Sequence, residues 1–540
     1  MNFLKNEKII ILIIIIFATF LRLIELDRIP SGFYHDEVLS SYEAYSVLKT
    51  GGDHWGNVLP LNFKAFGDYV PPLYFYFNVP FVFIFGLNEW VIRFPAAILG
   101  IFTVWLTYLL VKELFKNKLI SLFSAFLMAI SPWHLHYSRL GFPAIILPFL
   151  ISLGLWLFFA SLNQQKSWKL YLAIFFISLT VWAYTPAQIF SPLLLIGLFI
   201  FYRKKIKPKN IIICFLIGLS IIGLIYLMTL FHPEWRTRFS YISIFNQSQP
   251  ILVFIKNYLA HLSFKFLFQE GDANLRHHLW GIGQLYFFEV ILFFSFFASI
   301  LLKREKFQHL PFLFFWLFLF PISSSLTTET IPHATRTIVA LPLLHIFSAL
   351  GLYVLYVLCR KKYFKIFAFS MTGLVLCSFT YFSVNYYLFY PTYSAPWFFH
   401  GQKEIVEYIK NNYEKYEKII ISGKRDHPYL YLLFYLNWHP KKFQNDPELK
   451  KEKVYDVLMV DSFDKFNFVY RFPEDIKNKL EPNNLYIEYC FKKYDDIYNI
   501  CNENESKEKI SLNEKIEKNQ IKKIIYFPDG SMAYRIMARD

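Results

Sequence analysis

Cysteine is scarce in this 540-residue chain, and the five present (Cys214, Cys359, Cys377, Cys490 and Cys501) are scattered. None has the paired spacing of a zinc ligand set, and only Cys490 and Cys501 fall in a polar stretch, so at most one disulfide is expected. Also missing are a glycine-rich dinucleotide loop, a Walker sequence, a His-Glu-x-x-His helix and a nucleophile elbow; Gly281-x-Gly283 is too short for a nucleotide loop. ATP-driven transport and metalloprotease chemistry lose support on that ground. Negative charge is in deficit too, with 40 acidic against 56 basic residues and a net charge of +16. That balance does not indicate nucleic acid, because the cations gather in short clusters between apolar runs, where membrane topology puts them.

Apolar residues are abundant: 55% of the chain is hydrophobic and 21% aromatic. Runs near the ~20 residues that cross a bilayer recur along it, which makes a polytopic α-helical membrane protein. Lys5 and Lys8 followed by residues 9–21 have the charge pattern of a signal peptide. They lack a small-residue cleavage site and run into Arg22 and Glu25, so an uncleaved first span is expected. Roughly eleven spans follow from the pattern, at residues 9–25, 90–111, 119–137, 143–161, 169–188, 189–202, 210–230, 284–302, 310–326, 338–358 and 366–388.

With the N-terminus in the cytoplasm, the connections 112–118, 163–169, 203–209, 303–306 and 360–365 fall inside, and each is short and basic. Residues 71–86 are apolar but short, open with Pro-Pro and contain Asn78 and Pro80. A re-entrant or interfacial helix fits them better than a span, and it preserves the parity of the basic loops. The outer face then receives a first loop at 27–88, turns near 133–142, 184–188 and 327–336, a long loop at 231–283, and everything after about residue 390.

The expected division is a membrane domain at 1–390 and a small extracytoplasmic α/β domain at 391–540. In the latter, residues 403–413 read as an amphipathic helix and 418–422, 466–472 and 485–491 as strands. Pro528-Asp529-Gly530 marks a turn between two alternating runs. No internal repeat is evident.

Ionisable residues at a membrane edge are costly and usually functional. In the first outer loop, Asp36 is the candidate catalytic carboxylate and Glu37 its support, since neighbours on a helix point ~100° apart and one of them faces the reactants. The alternative is that both serve the helix N-terminus as cap and dipole partner. Asp68 is a second candidate, with an Asx turn before Pro71 as its alternative. Asp53 and His54, beside Gly51-Gly52, are assigned no role. Arg139, with His134 and His136 near it, lies in one outer turn, Lys265, Arg276, His277 and His278 in the long loop, and His333 and Arg336 in the last turn. Each could snorkel to lipid headgroups. Three outer loops bringing Arg and His to one face also fit an anionic ligand such as phosphate, which an arginine fork matches.

Several stretches resemble the GT-C superfamily of integral-membrane glycosyltransferases, in its protein O-mannosyltransferase-like and aminoarabinose-transferase-like bacterial branch. They are Asp36-Glu37 after the first span, PPLYFYF, NEWVIRFPAAILGIFTVWLTYLL with Arg93, Pro95 and Gly100, SPWHLHYSRLG, RHHLWGIGQLYFFE and PHATRTIVALPLL. The similarity extends to about residue 390 and rests on order and spacing. The resemblance implies a plasma-membrane enzyme that takes a sugar from a polyprenyl-phosphate donor outside the cytoplasm. It implies inversion at the anomeric carbon, with Asp36 as the catalytic carboxylate; the placement of the outer-loop residues separately makes Asp68, Arg139, Arg276, His277, His278, His333 and Arg336 the expected substrate-binding set. The acceptor could be protein, lipid or cell-wall glycan. A divalent metal ion is left open, with no ligands assigned. Two departures are plain. Asp68-Tyr69-Val70 stands where the aminoarabinose branch has Glu-Lys before its Pro-Pro, and Leu-Gly-Phe-Pro follows Arg139 where many relatives have an acid.

Two rival expectations come from other classes. A non-catalytic transporter or flippase for a lipid-linked glycan would need polar groups along the membrane midplane and paired broken helices. A receptor would keep its business in residues 391–540.

Overall fold

The computed structural model of the chain describes residues 6–302, 307, 309–359, 361–454, 457–472, 480–490 and 520–539. The basic connection 303–306, Arg360, Phe491 and Cys501 therefore lie outside the described residues. The chain falls into two compact units. One comprises Met1–Leu26, Val70–Tyr74 and Arg93–Tyr386; the other comprises Asp27–Tyr69, Phe75–Ile92 and Tyr387–Asp540.

The first unit is helical throughout. Among the described residues seven helices are long and apolar enough to cross a membrane: Glu89–Phe115, Pro143–Gln164, Ala187–Lys205, Pro208–Phe231, Pro250–Gln269, Ile338–Leu358 and Phe364–Phe398. Shorter apolar helices stand beside them, including Glu7–Leu23, Lys118–Ile130 and Glu289–Leu301. All eleven apolar segments read from the sequence are thus helical, and the chain is a multi-pass membrane protein. Pro250–Gln269 is not among the spans read from the sequence and lies inside the stretch expected to be an outer loop. Its hydropathy is diluted by Lys256, Asn257, His261 and Lys265. Asn257 and His261, one turn apart, face inward; Asn257 donates to Thr327 O (2.8 Å), and His261 Nε2 pairs with Ser324 Oγ (2.9 Å).

Helix ends in this unit are closed by arginines. Arg22, at the end of Glu7–Leu23, donates to Ala129 O (3.0 Å) and Met128 O (3.3 Å), the last carbonyls of Lys118–Ile130. Arg139 returns the arrangement, donating to Leu21 O (3.0 Å) and Glu25 O (3.2 Å). Arg93 reaches Leu26 O at 3.3 Å. Helix C-termini leave carbonyls without intrahelical partners, and a cation there satisfies both the hydrogen bond and the dipole. All three side chains are fully buried.

The second unit combines the acidic helix His35–Thr50, β1 (Phe63–Ala65) with β2 (Asp68–Val70) up to Tyr69, the helix Leu73–Phe85 from Phe75 on, and a seven-stranded sheet. The sheet contains β3 (Lys418–Ser422), β4 (Lys450–Val454), β5 (Val457–Phe463), β6 (Phe466–Val469), β7 (Asn484–Tyr489), β8 (Ile521–Tyr526) and β9 (Met532–Ala538), in the order β4-β5-β6-β3-β7-β9-β8. β3 is parallel to both its neighbours, and the other pairs are antiparallel. The expected strands at 418–422, 466–472 and 485–491 correspond to β3, β6 and β7, and the expected helix is Gln402–Asn411. Leu73–Phe85 has 13 residues with Pro80 inside. At 1.5 Å per residue it is about 20 Å long, short of the ~30 Å hydrocarbon core.

Candidate functional site

The acidic helix starts after Tyr34 and ends at Gly51, whose φ of 73° closes it. Its acids have different surroundings. Glu37 is fully buried and accepts a hydrogen bond from the Tyr34 amide (3.0 Å), as an acid at the third helical position does when it caps. Asp36 keeps half of its side chain exposed, with His35 Nε2 3.6 Å away. The His35 ring sits among Tyr34 (3.9 Å between centroids), Phe66 (4.7 Å), His427 (5.3 Å) and Phe399 (5.8 Å). Asp68 is half-buried at the start of β2. Further along the helix, Glu43 is buried against His54.

The cationic candidates belong to the first unit. Arg139 holds the carbonyls described above, with Tyr386 beneath its guanidinium (5.5 Å). Arg336 donates to Glu329 Oε2 (2.6 Å), Glu329 O (3.1 Å) and Thr327 Oγ1 (2.8 Å). Burial pushes the Glu329 carboxyl up, but Arg238 and Arg336 outweigh it and hold it below its ordinary value. Arg276 Nε donates to Asn274 Oδ1 (3.3 Å), and its backbone oxygen lies 2.7 Å from His136 Nε2. His278 Nδ1 is 3.2 Å from Asn274 O, and burial holds its imidazole below the usual range.

At the centre of this group is Asp272, which the sequence reading missed. Its Oδ1 accepts from the Asn274 amide (2.9 Å) and its Oδ2 from the Ala334 amide (2.7 Å). His277 Nδ1 lies 3.0 Å and His333 Nδ1 3.7 Å from the same Oδ2. Burial pushes the Asp272 carboxyl up; His277, His333 and the Ala334 amide together hold it well below its ordinary value. His333 is kept neutral by burial and by Arg336. His277 and His333, expected from the long loop and the last outer turn, thus meet at one buried carboxylate, with His278 in its field. The signal available in the sequence was an acid five residues before a histidine, in a turn opened by Gly271 (φ 70°).

Residues 69–226 match the family described as dolichyl-phosphate-mannose-protein mannosyltransferase. An uncharacterized protein of Aquifex aeolicus is 33% identical over 129 residues, 24% of this chain and 25% of that one. The putative mannosyltransferase YkcB of Bacillus subtilis is 26% identical over 178 residues, 32% of this chain and 23% of that one. The chain therefore spans about a quarter of the length of the curated relatives it matches. Among solved structures, ArnT from Cupriavidus metallidurans bound to undecaprenyl phosphate superposes with a TM-score of 0.52 at 11% identity, covering 97% of each chain. The oligosaccharyltransferase AglB from Archaeoglobus fulgidus, in complex with an inhibitory peptide and a dolichol-phosphate, gives 0.52 at 15% identity over 99% of this chain and 74% of that one.

The chain has the GT-C fold. Within it, the first unit carries a carboxylate with two imidazoles, a donor set able to hold a metal ion. The second carries an accessible carboxylate at a helix start.

Proposed function

We propose that this protein is an inverting glycosyltransferase that moves a sugar from a polyprenyl-phosphate donor to an acceptor hydroxyl at the outer face of the plasma membrane. The fold and the mannosyltransferase family match over residues 69–226 support the reaction class. The lipid phosphates named with ArnT and AglB support the donor class. The N-terminus is then cytoplasmic, and residues 391–540 act as an extracytoplasmic domain beside a membrane domain at 1–390.

The observation that carries the reading is the exposure of Asp36. Glu37 and Glu43 on the same helix are fully buried, whereas Asp36 keeps half of its side chain open to a reactant. Asp36 accepts the acceptor's hydroxyl proton as that oxygen attacks the anomeric carbon. The bond to the donor phosphate breaks on the opposite face, which inverts the configuration. A general base contributes about 10²–10⁴-fold, and its negative charge also favours an oxocarbenium-like transition state. Glu37 supports Asp36 by fixing the helix start, and Asp68 belongs to the sugar-binding wall. In the first unit, Arg276 and His278 are assigned to phosphate binding, with His277 and His333 beside them on Asp272. Arg139 and Arg336, which hold carbonyls and Glu329 respectively, contribute field and position.

The test is release of polyprenyl phosphate from a synthetic polyprenyl-phosphate sugar by the purified full-length protein. Asp36→Asn is expected to lower turnover at least 100-fold while donor binding persists. Turnover within a few-fold of the parent would remove Asp36 from the chemistry.

A further inference from the structure

We propose that Asp272, His277 and His333 form a three-ligand site for a divalent metal ion of the zinc class. Among the described residues this is the group of three potential ligands whose donor atoms all lie within 4.8 Å of one another. Ligands bound about 2 Å from one ion sit about 3–3.5 Å apart from each other. The separations of 3.0 and 3.7 Å from Asp272 Oδ2 bracket that value.

Hydrogen bonding explains one histidine here but not two. Asp272 Oδ2 already accepts from the Ala334 amide and faces His277 Nδ1. His333 Nδ1 points to the same oxygen with no hydrogen-bond partner, on a residue only 7% exposed. A buried donor or acceptor left unpaired is destabilising; a shared cation removes that cost and joins all three groups.

The surroundings hold the ligands as outer contacts in metal sites do. The Asn274 and Ala334 amides orient the carboxylate. The two imidazole rings stack 4.7 Å apart at 27°. His261 Nε2 accepts from the His333 amide (3.0 Å) and fixes that turn. Three protein ligands leave a fourth position open, the pattern of sites that take an exogenous oxygen. A cavity of about 10 Å³ beside His277, walled also by Trp133, His136, His278 and Gln284, is about the size of one water or one anionic oxygen. Trp133 Nε1 and Gln284 Nε2, donors on two of those residues, have no hydrogen-bond partner. Two imidazoles and one carboxylate favour zinc over magnesium or calcium. On the transferase reading, the open position takes an oxygen of the donor phosphate, and that clause alone rests on it.

The test uses the full-length protein in detergent, stripped with a chelator, dialysed against zinc, and assayed for metal per chain by plasma mass spectrometry. About one zinc per chain is expected for a three-ligand site with an open fourth position, lost in Asp272→Asn and His333→Leu and kept in His232→Gln. His333→Cys supplies a second readout: loaded with cobalt, it should show a thiolate-to-cobalt charge-transfer band that the parent lacks. A parent chain that retains no stoichiometric zinc overturns the site, as does a monodisperse His333→Cys variant without that band. Should Asp272→Asn fail to fold, the cysteine variant decides. A chain that holds zinc but releases no polyprenyl phosphate leaves the site standing and removes the transferase reading. One that turns over without stoichiometric metal does the reverse.

Discussion

Glu43 and His54, eleven residues apart, meet through His54 Nδ1 and Glu43 Oε1 with neither side chain exposed to solvent. The contact is anchored twice more: the His54 amide donates to Glu43 Oε2 (2.9 Å), and Tyr429 OH lies 3.3 Å from His54 Nε2. It ties the acidic helix to the loop after it and to the helix Pro428–Tyr435 within one unit. Burial pushes the Glu43 carboxyl up, and His54 opposes that shift. Glu43→Gln leaves a buried imidazole facing a group that no longer matches it, at a cost of about 3 kcal/mol. Thermal unfolding of the detergent-solubilised protein should show this, with part of the loss recovered in the double variant Glu43→Gln/His54→Gln. Additive losses in the double variant would count against a direct coupling.

Gly351 gives the second prediction. A Cβ built there would stand 1.9 Å from Leu292 O and 2.6 Å from Leu292 C, both backbone atoms that no rotamer change can move. Ser295 Oγ seals the same crossing by donating to Gly351 O at 3.1 Å. The helices Glu289–Leu301 and Leu343–Leu358 approach this closely because the residue is glycine, as small residues allow between membrane helices. Gly351→Ala should cost about 3 kcal/mol or more, since overpacking forces backbone shifts, and should sharply lower the yield of monodisperse protein. Gly373→Ala, with nothing within 4 Å of the added carbon, should leave the yield unchanged.

What the sequence revealed follows from the range of the interactions involved. Apolar helices are specified by local runs, so all eleven were readable. So was the turn at Pro528-Asp529-Gly530, where Gly530 has φ 85° and β8 pairs with β9. Pro250–Gln269 escaped because Asn257 and His261 lower its hydropathy while facing inward, which only the partners Thr327 and Ser324 reveal. Arg22 and Arg139 look like free membrane-edge cations until two helix C-termini are brought to them. His54 had no role in the sequence because Glu43 alone gives it one. Asp272 was passed over for the same reason: its partners at His333 and Ala334 lie some sixty residues away, and no local period announces them.

Adjacent acids on one helix allow the catalytic proposal to be separated from helix capping. Glu37 caps the Tyr34 amide, so Glu37→Gln should destabilise the protein by about 1 kcal/mol and lower turnover only modestly. Asp36→Asn should do the opposite, with a near-normal melting temperature and turnover reduced at least 100-fold. Paired measurements of melting temperature and of polyprenyl-phosphate release distinguish the two. Parallel loss of both properties in both variants would make the pair a structural unit.

The last prediction concerns pH. His427 is buried in the second unit, stacked on Phe66 (4.0 Å) with His35 edge-on at 5.3 Å and Tyr429 nearby. Burial lowers its pKa from 6.5 to about 3 in the folded state. Between those two values the unfolded chain binds a proton that the folded chain refuses, so stability falls as pH drops below about 6.5 and is fully present above it. One pH unit is worth about 1.4 kcal/mol per proton, so His427 should withdraw about 2 kcal/mol between pH 6.5 and pH 5. His427 has φ 55°, a conformation asparagine tolerates, so His427→Asn removes the titration without straining the backbone. The variant should be less stable at pH 7.5 through lost ring packing. Its stability should then decline less steeply over the acid window than that of the parent. Thermal unfolding at half-unit steps from pH 7.5 to 5 reads this slope directly, and equal slopes in the two proteins would mean that His427 accepts its proton in the folded state as readily as in the unfolded one.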